Sequence, residues 1–173
     1  MILETERCKL RFFKNSDVDA LFSICNDKEF NQYIPLPYPY HKSDAKKWIK
    51  SQAGKREEGS GYDFAVDLKD ENKLIGNVSI TIDKKNQFGE LGCWISKQYW
   101  GKGFATESLK RLTRFAFEVL GLHKVYAKCY KENIASSRAI QKCGLTFVGT
   151  LKEHSLKDGK FHDCLLYELL NKN

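Results

Sequence analysis

The sequence predicts a single α/β domain over residues 1–173, built on a mixed sheet flanked by helices. Three observations lead to this class. The 173 residues contain no linker-like stretch and no internal repeat, and such a length is typical of one domain. Segments with strand and helix patterns follow one another in the order β-α-α-β-β-β-α-β-α-β-β. In the middle of this series, a strand runs into a glycine-containing loop that opens a long amphipathic helix.

The N-terminal third is predicted to hold one strand and two helices. The residues LRFF from Leu10 read as the strand, and a helix with Ser16 as its cap follows over positions 18–25. The segment IPLPYPY at positions 34–40 contains all three prolines, so it is predicted to be an ordered aromatic loop that packs or borders a binding site. A second helix is predicted to begin at its cap Ser43.

The central part is predicted to alternate strands with turns before the long helix. The strand patterns are YDFAV at positions 62–66, KLIGNVSITI at 73–82 and ELGCWIS at 90–96. From Gly103, apolar residues spaced four, three, four and three apart predict a helix buried on one side. These residues are Ala105, Leu109, Leu112, Ala116 and Val119.

The C-terminal part is predicted to add a strand, a short helix and a hairpin. KVYAKC at positions 124–129 forms the strand, and SSRAIQKCG is a helix closed by Gly144. The hairpin strands TFVGTLKEH and FHDCLLYEL flank the turn KDG.

The composition excludes several classes of protein. Apolar residues make up 42% and charged residues 29% of the chain, as in soluble globular proteins. No apolar run reaches the roughly 18 residues of a membrane helix, so no membrane partner is expected. Glu4 and Glu6 stand where a signal peptide has its apolar core. We therefore expect a cytoplasmic protein.

The cysteines and histidines do not predict a metal site. The six cysteines form no C-x-x-C pair, and the four histidines do not join them at metal-ligand spacing. We expect free thiols and no metal. Cys93 is expected to be a small strand residue rather than a nucleophile, because no histidine lies near it in sequence.

The positive charge of the chain is concentrated in one segment. Positions 97–142 hold ten Lys and Arg against three Glu, and this difference of seven equals the whole net charge of +7. Such a segment would suit a phosphorylated cofactor or a nucleic acid as partner. The alternative is that it forms a solvated basic face without a ligand.

The loop before the long helix carries the pattern Q-x-x-G-x-G followed by a small residue, at Gln98, Gly101, Gly103 and Ala105. A nucleoside triphosphate loop would need G-x-x-x-x-G-K-[ST], and a dinucleotide loop would need a third glycine where Thr106 stands. Neither motif fits. Helix N–H groups at such a junction nevertheless attract anions.

With this loop the chain resembles the GNAT superfamily of acetyl-CoA-dependent N-acetyltransferases, whose diphosphate loop has the form [RQ]-x-x-G-x-[GA]. LETERCKLRFF, ELGCWISKQYWGKGFATESL and ENIASSRAIQKCGLTFVGTL resemble, in order, the opening, the cofactor loop and the N-x-x-S segment of the branch that acetylates ribosomal-protein N-termini. The resemblance implies a mostly antiparallel sheet that is splayed where the cofactor binds.

The resemblance also implies which residues hold acetyl-CoA. The glycine loop would bind the diphosphate, the strand before it would pair with the pantetheine arm, and Asn133 would contact the arm from the next strand. An ordinary loop asparagine bonded to its own backbone is the alternative for Asn133. The implied cofactor residues are Trp94, Ile95, Gln98, Gly101, Lys102, Gly103, Phe104, Ala105, Thr106 and Asn133.

Two residues are candidates for the chemistry. Glu90 begins the strand before the loop, where family members often have a base for the amine; a carboxylate bonded to a neighbour is the alternative. Many members have a tyrosine as general acid where this chain has Ile140, and Ser136 stands where the ribosomal branch has a serine that could serve the leaving thiolate. A second base of that branch is missing, because Ser155 occupies its place.

The sequence leaves three functions open. The first is acetylation of a protein N-terminus, such as that of a ribosomal protein. The second is acetylation of a small amine such as an amino sugar, an amino acid derivative or a polyamine, and the third is a non-catalytic acyl-CoA-binding module. No direct nucleic-acid partner is expected, because the sequence has no aromatic RNA-binding motif. A homodimer is left open.

Overall fold

The computed structural model of the chain describes residues 1–34 and 36–172. Within these residues, eight strands and four helices form. The strands are β1 (Ile2–Glu4), β2 (Cys8–Phe12), β3 (Gly61–Leu68), β4 (Lys73–Asp83), β5 (Phe88–Ile95), β6 (Lys124–Tyr130), β7 (Thr146–Lys157) and β8 (Lys160–Leu170). The helices are α1 (Val18–Cys25), α2 (Lys42–Glu57), α3 (Phe104–Glu118) and α4 (Ile134–Lys142). Short 3-10 turns occupy Asn15–Asp17, Phe30–Tyr33 and Lys97–Tyr99.

All eight strands belong to one sheet in the order β1-β2-β3-β4-β5-β6-β8-β7. Neighbouring strands run antiparallel except β5 and β6, which are parallel. The prediction of a mixed, mostly antiparallel sheet is therefore confirmed.

The parallel pairing of β5 and β6 is short. It runs over four residue pairs, from Phe88 opposite Lys124 to Leu91 opposite Ala127. Beyond these pairs, β5 continues to Ile95 along β4, while β6 continues to Tyr130 along β8. The two strands thus part in the middle of the sheet, and we call the gap that begins after Leu91 and Ala127 the β5–β6 opening.

Helices cover both faces of the sheet. Side chains of α3 and α4, including Leu112, Phe115 and Ile140, belong to the larger core cluster. Side chains of α1 and α2, including Leu21 and Ile49, belong to a smaller cluster on the opposite face. Because strand side chains alternate between faces, each residue of β5 and β6 faces either α3 and α4 or α1 and α2.

The structure contradicts both predicted serine caps. A 3-10 turn precedes α1, and the side chain of Asp17 rather than Ser16 accepts a backbone hydrogen bond there, from Lys14 N at 2.7 Å. Helix α2 begins at Lys42, one residue before Ser43, and the Asp44 carboxylate accepts from its capping residue. An ionised carboxylate accepts backbone N–H groups more strongly than a hydroxyl does, which explains both outcomes.

Two further predictions change at element ends. Strand β1 was not predicted, because three residues are too few for a strand pattern; it forms along the free edge of β2. Val119 was expected on the buried side of α3, but it follows the last helical residue and is 62% exposed. The backbone leaves the helix there, so the helical spacing no longer determines the direction of the side chain.

Candidate active site

Both glycines of the predicted cofactor loop have left-handed backbone conformations. Gly101 has φ 74° and Gly103 has φ 85°. Side chains are rarely tolerated at such angles, so the conformation accounts for glycine at both positions. Gly103 is the N-terminal cap of α3, and its carbonyl accepts from Glu107 N at 3.0 Å. The loop therefore ends at a helix N-terminus, where the first N–H groups can bind an anion.

The other predicted residues of the loop divide into exposed and packed side chains. Gln98 and Lys102 are exposed, whereas the Phe104 ring is buried against Tyr99 at a centroid distance of 5.9 Å. Ala105 packs partly against the larger core. For Phe104, then, the group available to a ligand is its backbone N–H. Thr106, which follows, offers its carbonyl to the Cys143 thiol at 3.4 Å.

Arg7 supports this loop, and the sequence analysis did not single it out. Its Nε lies 2.7 Å from Glu107 Oε2, and its Nη1 donates to the Lys102 carbonyl at 3.1 Å. Its guanidinium also stacks on the Phe104 ring at 4.2 Å. The sequence gives no local signal for this contact, because an acidic residue in the first turn of a helix is common without a cation beside it.

Trp94 and Ile95, the two predicted cofactor residues of β5, border the opening with their backbone atoms. Trp94 turns its side chain toward α1 and α2 and packs edge-on against Phe30, with ring centroids 5.4 Å apart. Ile95 is buried, and its carbonyl accepts from Trp100 Nε1 at 2.6 Å. Both residues lie in the part of β5 that has parted from β6.

Asn133 and Ser136 meet at the start of α4, directly after β6. The side chain of Asn133 caps the helix by accepting from Ser136 N at 3.0 Å. The Ser136 side chain hydrogen-bonds to Cys129; burial nevertheless raises the pKa of that thiol to about 11. Asn133 therefore makes the contact with nearby backbone that its alternative role, an ordinary loop asparagine, would give it.

Glu90 lies on the α1 and α2 side of the sheet beside two residues of β6. Its Oε2 accepts from Tyr126 Oη at 3.1 Å, and its Oε1 lies 3.2 Å from Lys128 Nζ. Burial, followed by the charge of Glu90, raises the pKa of Tyr126 to about 12. Lys128 also lies 3.4 Å from His154 Nε2. Each carboxylate oxygen retains a second lone pair for an amine or water.

The two positions where the family pattern is broken have different surroundings. Ile140 is buried in the core. A residue with a hydroxyl at this position would place a polar group there. Ser155 lies on β7, and its Oγ is 3.1 Å from the hydroxyl of Tyr130 at the end of β6. A serine–tyrosine pair therefore stands where the ribosomal branch has its second base.

The basic residues of positions 97–142 do not all remain available to a phosphate. Four are paired with carboxylates: Lys97 with Glu29, Lys124 with Glu168, Lys128 with Glu90 and Lys131 with Asp163. The other six lie on the glycine loop, α3 and α4, and are Lys102, Lys110, Arg111, Arg114, Arg138 and Lys142. The surplus charge is therefore concentrated on the elements around the loop.

A cavity of about 610 Å³ lies on the α1 and α2 side, beyond the end of β6. The 3-10 turn Phe30–Tyr33 and the residues around it form one wall, and the β7–β8 turn forms the other. Its lining residues are Lys28, Glu29, Asn31, Gln32, Tyr38, Lys157 and Asp158. Tyr38 belongs to the predicted aromatic loop, of which Pro35 lies outside the described residues. A second cavity of about 250 Å³ lies beside Gln87 and Leu122, at the opposite end of β5 from the opening.

The cysteines are all free thiols. Cys93 as a whole residue is partly exposed. Its sulfur nevertheless faces the core, and burial there raises the pKa of the thiol. Within residues 1–34 and 36–172, no group of three or more His, Cys, Asp or Glu side chains could hold a metal ion. In the same part of the chain, no helix is long and apolar enough to cross a membrane.

A sheet opened between two parallel strands, beside a glycine loop that begins a helix, defines a class of acyl-CoA-dependent transferases. The family model described as "Acetyltransferase (GNAT) domain" matches residues 7–146. The chain therefore belongs to the GNAT acetyltransferase family: it is an N-acetyltransferase, and its co-substrate is acetyl-CoA.

Similar proteins include enzymes with different acceptors in their names. The chain is 28% identical over 170 residues to the uncharacterized N-acetyltransferase YoaA of Bacillus subtilis, covering 98% of this chain and 96% of the relative. It is 28% identical over 160 residues to a spermidine N(1)-acetyltransferase of Vibrio cholerae, covering 89% and 87%. A ribosomal-protein-S5-alanine acetyltransferase from Vibrio fischeri shares the fold, with a TM-score of 0.90, 21% identity and coverage of 100% and 98%.

Proposed function

We propose that the chain acetylates the α-amino group at the N-terminus of a protein, such as a ribosomal protein, in the cytoplasm. One observation carries the proposal. The cavity at the β7–β8 turn is lined by Lys157, two residues after Ser155 on β7, and Ser155 Oγ lies 3.1 Å from the hydroxyl of Tyr130 at the end of β6. An acceptor site that runs from the β5–β6 opening to this cavity would suit an extended chain whose first residue reaches the thioester.

Acetyl-CoA would enter from the side of α3. The N–H groups of Phe104, Ala105 and Thr106 at the start of α3 would bind the diphosphate, and the glycines allow its close approach. The parted backbone of β5 at Trp94 and Ile95 would pair with the pantetheine arm, with Asn133 contacting the arm from the end of β6. Gln98 and Lys102 flank the loop on its exposed side.

The reaction forms a C–N bond and breaks a C–S bond. The neutral amine attacks the thioester carbonyl, which a backbone N–H near Ile95 would polarise. Glu90 takes the amine proton directly or through water, and the Ser136 hydroxyl donates a hydrogen bond to the departing sulfur while solvent supplies the proton that ends on CoA. A thiol with a pKa near 8.5 leaves as a fairly stable anion, so a weak acid in place of the usual tyrosine is sufficient.

A small amine is the second candidate, favoured by the relative named for spermidine. The charges on the first turns of α2 oppose a polyamine, because Lys42, Lys46, Lys47 and Lys50 surround the single carboxylate of Asp44. Like charges near a site repel a cationic ligand.

The test is an acceptor panel with acetyl-CoA, read as release of free thiol. We expect kcat/KM for N-terminal peptides to exceed that for spermidine, amino sugars and amino acid derivatives by at least about tenfold. Rapid turnover of a small amine with inert peptides would contradict the proposal. Tight CoA binding without turnover of any acceptor would identify a binding module instead.

A further inference from the structure

We infer that Lys157 forms a subsite for an acidic side chain of the acceptor, several residues from the α-amine that is acetylated. This inference rests on the proposed function and specifies which protein N-termini the site prefers. It is carried by the surroundings of the Lys157 ammonium group and by its distance from the β5–β6 opening.

The ammonium group of Lys157 is largely buried among neutral oxygens. The side chain is 12% exposed, and Nζ donates to the Ile34 carbonyl at 3.0 Å and to Asn31 Oδ1 at 3.3 Å. Its ion pair is with Asp158, whose carboxylate is 4.0 Å away and 89% exposed. A buried cation needs a closer counter-charge than this to offset its desolvation. An ammonium group also has a third donor in addition to the two used here.

The cavity that Lys157 lines favours an anion. Lys28 contributes a second cation to the lining. The acidic residues of the lining do not balance these two charges at close range. Glu29 is bonded to Lys97, and Asp158 extends into solvent. A carboxylate placed in this cavity would supply the missing counter-charge.

The strand register gives the distance between Lys157 and Tyr130, which lies at the end of β6 in the part that has parted from β5. Tyr130, at the end of β6, is level with Cys164 of β8, and Lys157 is level with Lys160 of the same strand. These positions are four residues apart, which corresponds to about 13 Å at a rise of about 3.3 Å per residue. An extended acceptor covers the same distance with about four residues, and the length of the lysine side chain shortens it. With the acceptor amine bound beside Tyr130, the acidic side chain would belong to about the third to fifth residue of the acceptor.

Tyr130 and two residues that contact it lie between the end of β6 and Lys157. The Tyr33 and Tyr130 rings are 6.4 Å apart, and Tyr130 is bonded to Ser155 two residues before Lys157 on β7. Tyr33 and Ser155 are partly exposed and would contact the peptide backbone, whereas Tyr130 is buried beneath them. An amino acid or amino sugar carries its anion too close to its amine to span the same distance.

The experiment compares peptides that differ at one position. Eight-residue peptides with Glu at position 2, 3, 4, 5 or 6 are measured beside the matched Gln peptides. We expect the parent to favour Glu at one or two of positions 3 to 5 by at least about tenfold in kcat/KM, mainly through KM. Lys157→Met should abolish this preference, so that KM for the Glu peptide rises to that for the matched Gln peptide. Lys152→Met is the control, because Lys152 is an exposed lysine of the same strand outside the cavity lining.

A charge reversal keeps the test decisive if the methionine variant folds poorly. Lys157→Glu should prefer a Lys peptide at the position where the parent prefers Glu. Equal use of Glu and Gln peptides by the parent would overturn the subsite but leave the proposed function intact. Failure of the parent on all peptides would instead overturn the proposed function.

Discussion

Arg7 and Glu107 join the β1–β2 turn to the first turn of α3 through two bonds. Arg7 Nε lies 2.7 Å from Glu107 Oε2, and the backbone N–H of Arg7 donates to Oε1 at 2.8 Å. Burial acts to raise the pKa of Glu107, but hydrogen bonds from Thr5 and Arg7 outweigh it and hold the pKa below its usual value. A negative charge is thus kept beside the helix end that is proposed to bind a diphosphate, and Arg7 neutralises it.

We predict that Arg7→Met weakens CoA binding about tenfold or more. The variant leaves Glu107 without its cation and removes the bond to the Lys102 carbonyl. Adding Glu107→Gln should restore the part of the loss that is due to charge. Calorimetry with CoA measures both effects, with Arg56→Met as the control, because Arg56 also stacks on a phenylalanine but lies on α2. Parental affinity in Arg7→Met would show that the contact does not support the loop.

Gly103→Val should weaken CoA binding strongly. A residue with a side chain costs about 1–2 kcal/mol of backbone strain at φ 85°. The new side chain would also stand in the way of a diphosphate that approaches the loop. The nearest atom to a new Cβ is the Arg7 guanidinium at 3.5 Å, so the folded protein itself has room for it. Gly54→Val is the control, because Gly54 is in α2 and a Cβ there meets nothing within 4 Å. Unchanged affinity in Gly103→Val would refute the placement of the diphosphate.

Glu90→Gln should lower kcat about a hundredfold and change the pH–rate profile, while CoA affinity stays within about twofold. The amide keeps the shape of the side chain but cannot take a proton from the amine. Tyr126→Phe removes only the donor to Oε2 and should cost less. If Glu90→Gln kept both the rate and the profile, Glu90 would be a structural partner of Lys128 and Tyr126.

Ser136→Ala tests whether the serine serves the thiolate. Its backbone N–H would still bond to the Asn133 side chain, so α4 should keep its cap and the melting temperature should change little. A general-acid role predicts a kcat reduced about tenfold, more for poor leaving groups. No change in kcat would mean that solvent protonates the sulfur.

The buried thiols predict a loss of stability at alkaline pH. Burial is the main reason that the pKa of Cys143 is raised to about 11. Its folded pKa lies above the unfolded value, so the stabilising effect is complete below about pH 9 and is lost as the pH rises toward 11. The loss has a limiting slope of about 1.4 kcal/mol per pH unit for each thiol. Urea unfolding at pH 8 and pH 10.5 should therefore show a smaller decline for Cys143→Ala than for the parent. Equal declines would contradict the raised pKa.

Local sequence signals predicted most of the fold because they depend on short-range geometry. The spacing of apolar residues predicted α3, and the paired glycines predicted the loop before it, whose left-handed conformation only the structure shows. The caps of α1 and α2 were wrong because nearby carboxylates compete with serine hydroxyls, and the winner depends on contacts such as that between Arg11 and Asp17. A three-residue strand such as β1 exists only through its partner.

The candidate site was predictable only where a motif carries it. Gly101, Gly103 and Asn133 stand in recognisable patterns, whereas Arg7 reaches its partner across about 100 positions and has no local signal. The surroundings of Glu90 come from β6, and its contacts with Tyr126 and Lys128 follow from a parallel register that sequence patterns do not specify.

The short β5–β6 pairing has a mechanical consequence. Four residue pairs join the five strands β1 to β5 to the three strands β6, β8 and β7. The two parts of the sheet, which we call the plates, are therefore paired at one end of the gap, and a small rotation about that end would change the width of the gap at the other. Backbone amides that line the gap lack a strand partner on that side, so we expect them to exchange hydrogen faster than those at the paired end. A molecule wedged between the plates would suppress both the rotation and the exchange.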